Sequence, residues 1–355
     1  MENENSRSVE SARSARGNPG ESHVHRLVLG EVEVLRVVEW QGPFAPARTL
    51  VPRSTSQVWT DNADWLAPDH WDPVTDRAVV ALGTWVLRSG GRTVLVDTSV
   101  GEGRERPGSP GFHRREGDYL GLLAAAGVRP QDVDVVVNTH VHADHVGGNT
   151  VAVEGGWAPA FPNARYLVPA ADDFYFGPEN GYGNGEREDD RLVYEDSVAP
   201  LHRAGQVVLW SGAHRIDEHL TLEPAPGHTP GSSVLRLASG DDRAVFAGDL
   251  LHSPVQILHP HWNSCFCLDP AQAAAARRRI LDRAAADREL VLPAHFGGPG
   301  AVEVHKRGGA FTLTPYPAAA PGAGGAARNS VTARANSRHR AMPTTTQPVG
   351  NDHSR

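Results

Sequence analysis

The sequence predicts an α/β fold in which two β-sheets pack against each other between outer helices. Three observations support this prediction. Runs of β-forming residues occur in both halves of the chain, helical runs lie between and after them, and clusters of histidine and aspartate follow several strand-like runs. Such a coarse doubling of strands, polar loops and helix is typical of two packed sheets covered by helices.

Strand-like runs in the first half of the chain concentrate or alternate β-forming residues at positions 32–39, 78–87, 93–97 and 133–138. Gly90 and Gly91 predict a hairpin turn between the second and third of these runs. A short helix is predicted over residues 119–126, and Gly127 ends it.

The second half of the chain repeats the pattern, with strands predicted at residues 165–169, 207–210, 219–224, 233–237, 244–247 and 289–292. A helical stretch lies near residues 189–202. The clearest helix covers residues 270–286, where Asp269 is the expected N-terminal cap and Pro270 occupies the first turn.

Composition excludes several classes of protein. The chain has 355 residues, of which 39% are hydrophobic and 21% are charged, which suits a large globular domain. Its formal net charge of −8 argues against nucleic-acid binding, because phosphate contacts need a basic face. Neither an apolar run of the roughly 18 residues that cross a bilayer nor a signal-peptide core is seen, so we expect a cytoplasmic protein that binds no membrane.

The two ends of the chain differ in composition from its middle. We predict that residues 1–24 and 318–355 are disordered and that residues 25–317 form the folded domain. Arginines in the C-terminal tail suit either a basic interaction arm or a merely solvated tail. Cys265 and Cys267 are too close in sequence for an unstrained disulfide, so we interpret them as small packing residues, with soft metal ligands as the alternative.

The most informative segment is THVHADHVGGN, at residues 139–149. His140 and His142 are two positions apart on an extended segment, so their side chains can converge on one ion. Asp144 and His145 follow at the start of a predicted short helix, where their offset suits a second ion. A lone histidine is usually structural, but four such groups buried without a metal would each cost about 1 to 3 kcal/mol if unpaired.

Three later segments place further metal-binding residue types in loops or at strand ends. His228 lies in the tight turn PGHTPG, Asp249 ends the apolar run VFAGD, and His295 follows the predicted strand that ends near Leu292. Each segment alone is weak evidence, since His and Asp in turns are commonly structural. Together with the first cluster they indicate a metal site.

These motifs resemble, in kind and order, those of the metallo-β-lactamase superfamily, over residues 26–316. The resemblance implies a four-layer αββα sandwich with the site along one edge. It implies seven metal ligands in two groups that share one aspartate: His140, His142 and His228 for one ion, Asp144, His145 and His295 for the other, and Asp249 as the bridge between them. Asp97, upstream, resembles the acidic residue that family members place beneath the metals to orient the histidines.

Four segments narrow the resemblance to the branch that contains methyl parathion hydrolase, with quorum-quenching lactonases as near relatives: residues 160–166, 226–231, 248–254 and 294–299. This implies a dinuclear metal-dependent hydrolase that uses metal-bound hydroxide to cleave a small ester, lactone or phosphotriester, and it favours a homodimer. Imidazole and carboxylate ligands suit Zn²⁺, although Mn²⁺, Fe²⁺ or Co²⁺ could bind the same set.

Four residues near the predicted ions are assigned roles. Asp144 is the candidate catalytic group that accepts the proton of the attacking water. His252 contacts substrate or protonates a leaving group, or else is structural. Trp262 and Phe296 are the aromatic residues favoured for substrate contact, because they lie closest in sequence to the loops that form the site.

Three alternative functions remain open from the sequence. A mononuclear-iron sulfur dioxygenase could share the fold, although the complete second ligand group favours two ions. A nuclease of the same fold would need a basic groove, which the acidic balance disfavours. A non-catalytic interaction protein would use the terminal segments instead.

Overall fold

The Val-rich and alternating segments form two large β-sheets in the computed structural model, which describes residues 24–185 and 188–316. The first sheet has eight strands: β1 (Val24–Leu29), β2 (Val32–Pro46), β3 (Trp71–Asp72), β4 (Arg77–Ser89), β5 (Arg92–Val96), β6 (Val135–Val137), β9 (Arg165–Pro169) and β10 (Val207–Trp210). Their order is β1-β2-β4-β5-β6-β9-β10, and β3 pairs with β4. Strands β5, β6, β9 and β10 run parallel to one another, so their carboxyl ends share one edge.

The second sheet has seven strands in sequential order: β11 (His214–Arg215), β12 (Leu220–Pro224), β13 (Ser233–Ser239), β14 (Asp242–Gly248), β15 (Leu290–Pro293), β16 (Val302–Arg307) and β17 (Ala310–Pro315). Only the β14–β15 pair among these described strands is parallel. A separate hairpin is formed by β7 (Thr150–Val153) and β8 (Gly156–Pro159).

Eleven α-helices are seen in the described residues: α1 (Ala47–Leu50), α2 (Ser56–Asp61), α3 (Ala63–Leu66), α4 (Tyr119–Ala125), α5 (Ala143–Val146), α6 (Ala170–Phe176), α7 (Gly181–Asn184), α8 (Glu188–Ser197), α9 (Ala199–Arg203), α10 (Val255–Leu258) and α11 (Pro270–Asp287). The predicted cap of α11 is confirmed, because the Asp269 side chain accepts a hydrogen bond from the Gln272 amide at 2.9 Å. No described helix is both long and apolar enough to span a bilayer.

Buried apolar residues divide the domain into four layers. Between the sheets, residues such as Trp85 and Leu87 of the first sheet pack against Phe246 and Leu235 of the second. The outer face of the first sheet is covered by α4, α6, α8 and α9, and the outer face of the second is covered by α11. This αββα arrangement confirms the predicted fold class.

Several predicted boundaries differ from the observed ones for identifiable reasons. The strand predicted at residues 32–39 continues to Pro46 as β2, with register shifts after Val38 and Pro43, because prolines and glycine disguise the extension. The helix predicted near residues 189–202 is divided into α8 and α9, where Pro200 in the first turn of α9 lacks an amide to continue the α8 hydrogen bonds. The predicted disordered segments 1–24 and 318–355 lie outside the described residues, except that Val24 begins β1.

Candidate metal centre

The first cluster of predicted ligands lies where β6 ends. After Val137 the chain leaves the sheet, His140 and His142 follow in a loop, and α5 carries Asp144 and His145. This short helix begins at Ala143, so Asp144 and His145 lie near its start, as the sequence predicts.

The other predicted ligands come from the second sheet. His228 lies in the turn between β12 and β13, and Asp249 directly follows β14. His295 follows β15, the parallel neighbour of β14, so both strands deliver their ligands to the same edge. The sandwich therefore brings loops of two different sheets together at one place.

The ligand atoms of the first group converge closely. His142 Nδ1 lies 3.1 Å from His140 Nε2 and 3.0 Å from His228 Nε2. His228 Nε2 is in turn 3.1 Å from Asp249 Oδ2. Single ligand atoms of these four residues all lie within 4.8 Å of one another.

The second group lies on the other side of the Asp249 carboxylate. Its Oδ1 atom is 3.0 Å from His145 Nε2 and 2.9 Å from His295 Nε2, whereas its Oδ2 atom faces His228. Asp144 completes the group, with Oδ2 at 3.6 Å from His295 Nε2. One oxygen of Asp249 thus faces each group, so the carboxylate contacts both.

These spacings fit a metal centre. Two ligand atoms about 2.1 Å from a tetrahedral Zn²⁺ lie about 3.4 Å apart, close to the separations within the first group. His145 Nε2 and Asp249 Oδ1 are buried and only 3.0 Å apart, but neither atom has a partner aligned for a hydrogen bond. Buried polar atoms without partners are destabilising, so a cation bound by His145 and Asp249 would satisfy them.

The electrostatics of the centre favour a bound cation. Burial alone would raise the pKa of Asp249, but the surrounding histidines, His145 foremost, hold it well below its usual range. Burial holds the pKa of His140 well below its usual value, which leaves the neutral imidazole that ligates metals. Burial also acts to lower the pKa of His228, but Asp249 outweighs it and raises the pKa to about 9, so a metal ion competes with a proton there.

Asp97 lies beneath the ligands, at the end of β5. Its carboxylate contacts His145 Nδ1 at 2.8 Å and accepts two hydrogen bonds from Thr139, one from the amide and one from the hydroxyl. A proton held on Nδ1 leaves Nε2 of His145 free to face Asp249. Ala81 acts similarly on the other side, because its carbonyl oxygen lies 3.0 Å from His295 Nδ1.

His252 is buried beside the centre. Its Nε2 atom lies 3.2 Å from Asp249 Oδ2, and burial lowers its pKa to about 4. Asp249, His252 and His295 also offer ligand atoms within 4.8 Å of one another. His252 thus contacts the Asp249 carboxylate, and its contact with substrate stays a prediction.

Phe296 and Trp262, the two aromatic residues predicted from the sequence to contact substrate, are both buried. Phe296 is fully buried, with its ring 5.4 Å from that of His70. Trp262 is 8% exposed and stacks on His259. Both side chains pack in the core, because sequence proximity to a loop does not decide which way a side chain points, and their contact with substrate stays a prediction.

A row of partly exposed aromatic rings was missed by the sequence analysis. The ring centroid of Phe266 lies 5.8 Å from that of His252 and 6.4 Å from that of Phe44, and Phe44 stacks on Phe112 at 6.3 Å. We call Phe44, Phe112 and Phe266 the aromatic row. They come from β2 and two separate loops, so no local pattern could connect them.

Cys267 is a further neighbour of the metal centre, at a position that was not predicted from the sequence. Its Sγ atom lies 3.9 Å from His228 Nδ1, on the side of the ring opposite to the ligand group. The nearby His228 outweighs the effect of burial and lowers the pKa of the thiol. Cys267 therefore contacts a predicted ligand rather than acting only as a small packing residue.

Comparison with known families decides the membership of the chain. The sequence profile described as the metallo-beta-lactamase superfamily matches residues 84–295, which include all seven predicted ligands. The chain belongs to the metallo-β-lactamase superfamily. The predicted membership is thereby confirmed, while the assignment to the methyl parathion hydrolase branch stays a prediction.

Curated proteins match parts of the chain. Hydroxyacylglutathione hydrolase of Anaeromyxobacter dehalogenans (strain 2CP-C) is 32% identical over 162 residues, which cover 44% of this chain and 44% of that protein. Metallo-beta-lactamase domain-containing protein 1 of Homo sapiens is 30% identical over 152 residues, 34% of this chain and 56% of that protein. The chain spans about half the length of the curated relatives it matches.

Solved structures of the superfamily match most of the domain. The hydrolase AbOPH superposes with a TM-score of 0.69 at 20% identity, covering 83% of this chain and 98% of that one. The dizinc quorum-quenching lactonase AidC gives a TM-score of 0.66 at 21% identity, covering 83% of this chain and 97% of that one. At these identities the comparison establishes the shared fold.

Proposed function

We propose that this protein is a dinuclear metal-dependent hydrolase that cleaves a small ester, lactone or phosphotriester. The observation that carries the proposal is the position of Asp249, which presents Oδ2 to His228 and Oδ1 to His145 and His295. A carboxylate shared in this way suits two adjacent ions better than one. The dizinc description of AidC is consistent with this assignment.

The donor set favours zinc. Imidazole nitrogens and carboxylate oxygens are typical ligands of Zn²⁺ and also suit Mn²⁺, Fe²⁺ and Co²⁺. Two such ions, when bound, lower the pKa of water and polarise a carbonyl or phosphoryl oxygen. A nucleophilic serine or cysteine is then not required.

Asp144 is the proposed proton acceptor. Its side chain is 16% exposed, whereas that of Asp249 is 4% exposed, so Asp144 is the more accessible carboxylate of the centre. It also lies within 3.6 Å of His295 Nε2 and therefore beside the proposed ions. A carboxylate in this position can accept the proton of an attacking water and hold it during bond cleavage.

The aromatic row supports a substrate with an apolar group. Phe44, Phe112 and Phe266 are all partly exposed, and Phe266 is the member nearest His252 and hence the metal centre. Partly exposed aromatic faces beside polar groups are typical of small-molecule sites. We infer that an aryl or alkyl part of the substrate packs on these rings while its ester, lactone or phosphoryl group faces the ions, and that His252 contacts it there.

The experiment that tests the proposed function combines elemental analysis with a substrate panel. Purified protein is analysed for zinc, manganese, iron and cobalt, then assayed on an acyl lactone, a nitrophenyl ester and a phosphotriester. About two ions per chain and hydrolysis of at least one class are expected. One iron per chain with oxygen consumption on a persulfide substrate would instead identify a sulfur dioxygenase.

The homodimer expected from the resemblance is also a proposal. Light scattering on the purified full-length chain tests it directly, because a dimer has twice the molar mass of the chain. A mass equal to that of one chain would reject it.

A further inference from the structure

Asp172 is a buried carboxylate outside the proposed ligand set. It lies in the first turn of α6 (Ala170–Phe176) and has no exposed surface. Burying a charged group is unfavourable unless hydrogen bonds compensate, so the partners of Asp172 indicate why it is there.

The donors that reach Asp172 come from two separate loops. The Val141 amide donates to Oδ2 at 2.9 Å, and Val141 lies between the proposed ligands His140 and His142. The Thr229 hydroxyl donates to the same oxygen at 2.8 Å, and the Gly231 amide donates to Oδ1 at 2.5 Å. Thr229 directly follows the proposed ligand His228.

These two loops belong to different sheets. Val141 follows β6 of the first sheet, whereas Thr229 and Gly231 lie in the turn between β12 and β13 of the second. One carboxylate therefore joins the loop that carries two ligands of the first group to the loop that carries the third. A second link, from the Ser233 hydroxyl at the start of β13 to the Thr139 carbonyl, is 2.8 Å long and reaches the residue just before His140.

The fit between Asp172 and the second loop is close. A Cβ atom on Gly231 would lie 2.7 Å from the Asp172 amide nitrogen and 2.8 Å from its carboxyl carbon. Only a residue without a side chain allows the turn to approach α6 this closely. The position of His228 relative to α6 is thus tightly constrained through this contact.

We propose that Asp172 is a positioning residue that sets the separation of His140 and His142 from His228, and thereby the affinity of this first ligand group for a metal ion. The inference rests on the proposed function in taking this group as a metal site. It adds that one of the two proposed ions depends on Asp172, whereas the ion proposed for Asp144, His145 and His295 does not.

The test substitutes Asp172→Asn and compares it with Asp173→Asn. An asparagine has the same shape, but its amide nitrogen must face either the Gly231 amide or the Val141 amide, so a hydrogen bond to one of the two loops is replaced by two donors facing each other. Asp173 is the adjacent residue on α6, and its carboxylate contacts Tyr194 and His202 instead. The control therefore makes the same chemical change on the same helix, away from the ligand loops.

The measurements are a Zn²⁺ titration of the metal-depleted full-length chain, in competition with a chromophoric chelator, and thermal unfolding of the metal-depleted proteins. The expected result for Asp172→Asn is that one Zn²⁺ binds about 10- to 100-fold more weakly while the other keeps its affinity. Asp173→Asn should bind both ions as the wild type does. Thr229→Val, which removes one donor and keeps the carboxylate, should weaken the same ion by a smaller factor.

Two results would overturn the inference. If Asp172→Asn binds both ions with wild-type affinity, the carboxylate does not set the ligand separation. If Asp172→Asn loses affinity for both ions equally, and its metal-depleted form unfolds at a lower temperature than that of Asp173→Asn, the residue serves only stability. A wild-type chain that binds two ions but hydrolyses none of the panel substrates would reject the proposed function and leave the role of Asp172 supported by the titration.

Discussion

His145 Nδ1 lies 2.8 Å from Oδ2 of Asp97, and both side chains are almost completely buried. The contact directs the opposite nitrogen of the ring toward Asp249. Because Asp97 follows β5 and His145 lies on α5 beyond β6, the two adjacent parallel strands supply both partners. The orientation of a proposed ligand therefore depends on a residue 48 positions away.

Asp97→Asn should weaken metal binding by about 10- to 100-fold. An asparagine can place its amide against Nδ1, which favours a proton on Nε2, the nitrogen that the metal needs. Asn also tolerates the left-handed backbone at this position, where φ is 58°, better than most residues. Chelator competition measures the affinity, and Asp134→Asn at the start of β6 is the control. Unchanged affinity would show that Asp97 does not orient His145.

His142→Ala and Asp249→Ala should each abolish measurable hydrolysis of the substrate that the panel identifies. The two variants should differ in metal content, because His142 belongs to one group while Asp249 faces both. We expect loss of one ion in His142→Ala and weakened binding of both in Asp249→Ala. His305→Ala, an exposed histidine on β16, is the control for elemental analysis and rate measurements. Full activity in either ligand variant would refute the proposed function.

Arg36→Met should lower the free energy of unfolding by about 1 to 3 kcal/mol, as expected when buried carbonyl acceptors lose their donor. The Arg36 guanidinium is buried and donates to the carbonyl oxygens of Gly298, Phe296 and Ala294, around the proposed ligand His295. Urea denaturation of the metal-depleted protein measures the change. Arg26→Met, on the exposed side of β1, should alter stability by less than about 1 kcal/mol. Equal effects of the two substitutions would contradict this account.

The contribution of His202 to stability should decrease as the pH rises. His202 Nε2 lies 2.7 Å from Asp173, and this hydrogen bond raises the pKa of the imidazole above 6.5. A raised folded-state pKa stabilises the protein fully below pH 6.5, and that stabilisation is lost as the pH rises through the folded-state pKa. The difference in unfolding free energy between the wild type and His202→Gln should thus shrink between pH 5.5 and pH 9. His305→Gln is the control. A difference that grows with pH would contradict a raised folded-state pKa for His202.

Phe112→Ala should reduce selectivity for substrates with large apolar groups. Removing one ring of the aromatic row should lower kcat/KM for a long-chain or aryl substrate by about 10-fold relative to a short-chain one, the scale expected for a lost apolar contact. The measurement is the ratio of kcat/KM values across a homologous series. Phe174→Ala removes a more exposed ring, on α6, and should leave the ratio unchanged. An unaltered ratio in Phe112→Ala would place the substrate elsewhere.

The sequence alone determined the features that depend on neighbouring residues. The alternation of β-formers predicted most strands, Asp269 and Pro270 marked the start of α11, and the spacing of the residues from His140 to His145 indicated convergent ligands. These predictions hold because side-chain direction within a few residues follows directly from backbone geometry. The order of the later motifs was enough to predict the superfamily.

Tertiary structure alone decided which distant groups meet. Asp172 lies 31 positions from Val141 and 57 from Thr229, and Arg36 lies 260 positions from Phe296. The burial of Phe296 and the exposure of Phe112 likewise depend on how the loops pack on the sandwich. Such contacts are set by the packing of two sheets and their loops. No local sequence pattern encodes the distance between residues that meet only in the complete fold.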